Sequence, residues 1–121
     1  MEMRKYVAEY LGTFLLVFLG CGAIILNDFY AGFLGDIGVS LIFGLTVMMV
    51  IYAASYISGA HINPAVTVGL YFAGKIPKNI IIPFVTSQIG GAISASFLLQ
   101  LLFPKHTTLG STLSSISTID T

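Results

Sequence analysis

The chain has 121 residues, 56% of them hydrophobic and only 8% charged, with five Lys and Arg against five Asp and Glu. A mean hydropathy of +0.96 excludes an ordinary water-soluble domain, and the neutral balance leaves no basic patch for nucleic acid. The composition fits one small unit integral to a lipid bilayer, and the single Cys21 rules out an intrachain disulfide.

Tyr6 to Leu26 is the first predicted span, ~31 Å long if helical. Arg4 and Lys5 precede it, and its apolar run is too long to read as a cleavable signal. Asn27 to Asp36 is a loop containing Gly and Asp but no basic residue, and Ile37 to Ile57 is the second span. The stretch Ser58-Gly59-Ala60-His61-Ile62-Asn63-Pro64-Ala65-Val66-Thr67 then breaks the pattern. Asn63 is a favoured helix N-cap and Pro64 suits the first helical position. A helix from Pro64 to Ala73 covers ~15 Å, about half of a ~30 Å hydrocarbon core. Gly74-Lys75-Ile76-Pro77-Lys78 forms a basic break, followed by a third span from Ile80 to Phe103, with Pro83 tolerable near its start. The remainder, 104–121, is rich in Ser and Thr with little apolar periodicity, and is expected to be a loose extracellular tail or a truncated connecting loop.

The fold class expected is an all-α membrane protein: three transmembrane helices and one re-entrant half-helix spanning about 58–74. Arg4, Lys5, Lys75 and Lys78 fall on one side only if the half-helix returns to the face it entered, leaving Lys105 opposite. By the positive-inside rule the N-terminus is then cytoplasmic. The rival, a helix lying flat in the interface, lacks the Lys and Arg that such helices carry. Small residues (Gly12, Gly20, Gly22, Gly44, Gly90, Gly91, Ala92, Ser94, Ala95 and Ser96) are frequent where spans would touch, although membrane helices are rich in them generally.

Irregular backbone at membrane depth must be buried in protein or line a wet cavity, because each bare carbonyl in lipid costs several kcal/mol. If Ser58 to Asn63 line a cavity, a helix N-terminus and a side-chain amide point into it. Such a site suits a neutral, hydrogen-bonding permeant and opposes cations. Asn63 offers its NH2 to a passing oxygen while its carbonyl is held by backbone; the alternative is a plain N-cap. His61 has no second ligand at metal spacing, so a structural or vestibule role is favoured over metal binding or gating. Glu9, one turn into the first span with Thr13 on the same face, is either an intramembrane functional carboxylate or an interfacial one. Nothing places a nucleophile beside a base, so no enzyme, metal or cofactor is expected.

The run SGAHINPAVTVGL between two spans resembles the first Asn-Pro-Ala loop of the major intrinsic protein family, the aquaporins and glycerol facilitators. The resemblance covers about residues 4 to 103, plus the loop-like Thr108-Leu109-Gly110-Ser111-Thr112-Leu113, and corresponds to the first inverted repeat of that fold. It implies that Asn63, Pro64 and Ala65 form the pore motif and that Gly59, Ala60, His61 and Ile62 present a ladder of carbonyl acceptors. It implies that Phe43 belongs to the selectivity constriction, with Val47 and Leu16 on the apolar pore wall. Glu9 and, less directly, Gln88 would brace the loop. The function implied is passive permeation of water or a small neutral solute such as glycerol across the cell membrane. The second Asn-Pro-Ala, the filter arginine and the residue facing Phe43 would come from a complementary second half or a full-length homologue, in tetrameric assembly by family precedent. A non-conducting subunit that modulates a homologue, or a fragment without function, is the alternative from another class.

Overall fold

The computed structural model describes residues 2–111, which are helical apart from the connections and the segment 103–111. Helix α1 spans Glu2–Phe29, α2 Gly35–Ser58, α3 Pro64–Phe72 and α4 Ile81–Leu102, with a 3-10 turn at Lys78–Ile80 leading into α4. Three of these helices are long and apolar enough to cross a membrane, while α3, at 9 residues, is not. The architecture is therefore three spans and one half-helix.

Helix α1 runs about a turn beyond the predicted span at its N-terminal end and nearly a turn beyond it at the other. Glu2, Arg4 and Lys5 are good helix formers, so nothing stops the helix before them. At the far end, Asn27 Oδ1 accepts from the N–H groups of both Leu34 and Gly35 at 2.9 Å. One side chain thus closes the turn and starts α2, which shortens the expected loop to residues 30–34.

Helix α1 lies between the other two spans. Helix α2 is antiparallel to it, since a Cβ on Gly12 would meet Val50 and one on Gly20 would meet the Phe43 ring. Helix α4 is parallel to it: Tyr6 packs edge-on against Phe84, Tyr10 donates a hydrogen bond to Ser94 Oγ, and Gly22 faces Leu99. Association within lipid gains nothing from expelling water, so van der Waals contact at small residues carries it. Gly91 lies so close to the Tyr10 carbonyl that any Cβ would overlap that oxygen. Ala95, Leu99, Phe84 and Ile25 fill the remainder of the core. Gly44 is a correction to the small-residue reading, because no described atom lies within 4 Å of its would-be Cβ.

After α2 the chain descends to Ile62, whose Cγ2 lies against Gly12, then turns. Helix α3 returns along α4 to the end of the bundle where α1 and α4 begin. Beyond α4 the described chain folds back toward α1 as far as Ser111. Phe103 packs on Phe29, His106 Nε2 lies 3.1 Å from Asp28 Oδ2, and the Leu109 N–H donates to His106 Nδ1. Gly110 then sits directly on the Cys21 backbone. Periodicity could not foretell this, because the segment is held by single contacts to α1. Residues 112–121, including Thr112 and Leu113 of the loop-like run, lie outside the described residues.

Candidate functional site

The loop between α2 and α3 is built on unusual backbone. Gly59 ends α2 in the left-handed region at φ 91°, and Ala60 and Ile62 follow at φ 49° and 45°. A left-handed β-branched residue such as Ile62 costs about 1–3 kcal/mol and persists only where its surroundings hold it. Here they do, because left-handed residues turn successive N–H groups toward one side and create a concavity for an anion. That anion is the Glu9 side chain.

Glu9 is fully buried, and its two oxygens collect four donors. Oε1 accepts from Ser58 Oγ at 2.6 Å and the His61 N–H at 2.9 Å. Oε2 accepts from the Ile62 N–H at 2.7 Å and Gln88 Nε2 at 2.8 Å. Ser58 Oγ in turn accepts from the Ala60 N–H at 3.1 Å, so three consecutive loop amides are satisfied through one carboxylate and one hydroxyl. Hydrogen bonds to charged groups contribute about 1.5–3 kcal/mol each, which is enough to offset the loop's strain.

The second proton of Gln88 Nε2 goes to Thr67 Oγ1 at 2.9 Å, and His61 Nδ1 lies 3.0 Å from the same oxygen. Thr67 therefore joins α3, α4 and the loop, and it is fully buried. The His61 ring is almost entirely enclosed, packed 5.0 Å from that of Phe84. No three His, Cys, Asp or Glu side chains converge on a metal-sized site among the described residues.

Asn63 caps α3 with extended backbone, and its Oδ1 accepts from the Ala65 N–H at 2.8 Å, with Pro64 in the first turn. With its oxygen so fixed, the amide is oriented, and the NH2 of this exposed side chain meets no acceptor among the described residues. No described donor meets the carbonyls of Gly59, Ala60, His61 or Ile62. Phe43, Val47 and Leu16 are half-buried. The antiparallel register sets Val47 at the level of Leu16 and Phe43 at that of Gly20, about 12 Å beyond Ile62 toward the far end of α1. Glu9 and Leu16 thus lie on one face of α1, Phe43 and Val47 on α2, Gln88 on α4, and Asn63, Pro64 and Ala65 at the start of α3. Ser58 and Thr67 carry contacts that no role had been assigned to.

A family model described as major intrinsic protein matches residues 1–119. The chain belongs to the major intrinsic protein family. Within it, the chain is 50% identical over 103 residues to Aquaporin Z of Bradyrhizobium diazoefficiens, covering 84% of this chain and 43% of that protein. It is 48% identical over 104 residues to Aquaporin Z of Photorhabdus laumondii, with 83% and 44% covered. Aquaporin NIP1-1 of Arabidopsis thaliana matches at 41% over 101 residues, covering 84% of this chain and 34% of that protein. The chain thus spans less than half the length of these major intrinsic proteins.

Proposed function

We propose that residues 4–103 form one side of a channel through which water or a small neutral solute crosses the cell membrane passively, the other side coming from a complementary repeat. The loop enters from the cytoplasmic face and returns to it, with the N-terminus on that face and no bond-making chemistry involved. One observation carries the reading: Asn63 is clamped through its oxygen at the start of a half-length helix, its NH2 and the four preceding carbonyls meeting no partner among the described residues. A donor and acceptors held in fixed directions replace the hydrogen bonds a permeating molecule leaves behind in water, and the helix N-terminus opposes cations. Glu9 and Gln88 hold that geometry; Phe43, Val47 and Leu16 supply apolar wall on the same side.

The test is stopped-flow swelling of liposomes holding the full chain together with the second half of the Bradyrhizobium relative. Water permeability above that of either part alone is expected, lowered several-fold by Asn63→Ala. Folded and inserted parts that give no rise would overturn conduction in favour of a non-conducting subunit.

A further inference from the structure

Gly20 and Gly91 are both helix glycines pressed by a neighbour, but by neighbours of different kinds. A Cβ on Gly91 would meet the Tyr10 carbonyl and the Phe14 backbone nitrogen, so that glycine sets the distance between α1 and α4. The three atoms nearest to a Cβ on Gly20 all belong to the Phe43 ring, with Cδ1 at 2.8 Å and Cζ and Cε1 closer still. No backbone atom is among them, so Gly20 makes room for one side chain. A phenyl ring turns about two torsions and cannot shorten, so it lies there only while position 20 carries no side chain. Gly20 is buried, whereas Phe43 is half-buried. The ring therefore rests one side on α1 and leaves the other uncovered by the described residues.

We infer that Gly20 is a positioning residue for permeation: it seats the Phe43 ring against α1 and so sets how wide the path beside that ring can be. The inference rests on the proposed function, in which Phe43 belongs to the wall of the path. Where a path is one molecule wide, its diameter decides what passes. Non-bonded carbons rest about 3.5–4.0 Å apart, so a methyl at position 20 must drive the ring away by about 1 Å or more. That is a large part of the width of a water molecule, about 2.8 Å across. The side open to the displaced ring is the uncovered one, where the complementary repeat would stand. Because the overlap is with the far end of a side chain, the fold absorbs it by turning that side chain. Gly20→Ala is therefore expected to lower the melting temperature less than Gly91→Ala does.

Stopped-flow swelling of liposomes holding the full chain and the second half of the Bradyrhizobium relative reads the path. Gly20→Ala is expected to lower water permeability per folded assembly several-fold. Gly44→Ala, next to Phe43 but with open space around it, should leave permeability unchanged. In a Phe43→Ala background Gly20→Ala should have no effect, because no ring remains to displace. A fall that persists there would mean general disturbance of the packing and overturn the inference. A Gly20→Ala chain that fails to fold would overturn it too, by showing that the helices rather than the ring meet at this position. A second reading does not need conduction: para-fluorophenylalanine in place of Phe43 in the full chain should shift its fluorine resonance in Gly20→Ala, and an unmoved resonance overturns the seating of the ring. A parent pair that does not conduct overturns the proposed function and this inference together. A conducting pair indifferent to Gly20→Ala overturns this inference alone.

Discussion

Glu9 and Ile62 lie 53 positions apart, yet Glu9 Oε2 accepts the Ile62 backbone N–H at 2.7 Å, and with it the left-handed turn before α3 is held. A side chain from the first span thus sets main-chain direction in the loop that precedes Asn63. The loop has no secondary structure of its own to do this.

Replacing that carboxylate should therefore do more than remove one contact. Glu9→Gln presents an NH2 to backbone donors, and Glu9→Ala leaves the N–H groups of His61 and Ile62 unmet in a buried site. We expect a loss of about 2–5 kcal/mol for either variant, from orphaned buried donors and broken charge-assisted bonds. Unfolding in mixed detergent measures it; a loss within error of zero would show that the loop holds its shape by other means.

Thr67→Val keeps the shape of the side chain while stranding one Gln88 proton and His61 Nδ1. The expected cost is about 1–3 kcal/mol, with most of it restored by Thr67→Ser. If serine and valine behave alike in the same detergent titration, the hydroxyl junction is not what matters at this position.

Gly91 and Gly44 make a matched pair. A Cβ on Gly91 would overlap the Tyr10 carbonyl, so Gly91→Ala must push α4 from α1 and should destabilise by about 1–3 kcal/mol or more. Gly44 has open space, and Gly44→Ala should be neutral or slightly stabilising, since alanine is favoured in helices by about 1 kcal/mol. Equal melting temperatures for the two variants would contradict the packing described.

Asn63→Ala separates cap from function. Losing the bond to the Ala65 N–H should cost about 1 kcal/mol of stability. Under the proposed function, permeability of the completed assembly should fall several-fold, far beyond what that small loss explains. Vesicle swelling corrected for the amount of folded protein reads the difference, and unchanged flux would remove Asn63 from the permeation path.

Much of this arrangement is legible in the amino-acid sequence. Apolar runs of spanning length mark α1, α2 and α4, and Asn63-Pro64 marks the start of α3 because cap and first-turn chemistry are local. Glu9 stood out because a carboxylate within an apolar span is costly and needs partners. The hydroxyls were not legible. Thr67 joins two other segments besides reaching back to the Asn63 carbonyl at 3.4 Å, whereas Thr86 and Thr46 only turn back onto carbonyls of their own helix. Sequence cannot tell these cases apart, because the choice depends on what the neighbouring helix brings within reach. The turn-back of Phe103 to Ser111 onto α1 was hidden for the same reason.

The arrangement at Glu9 also has an order in time. Synthesis delivers residue 9 first, then 61 and 62, then 88, so the acceptor is already waiting when the loop amides leave the ribosome. The third span follows, and its Gln88 adds a fourth donor to the same carboxylate. During biogenesis the most strained part of the chain therefore need never lie in lipid with its amides unanswered.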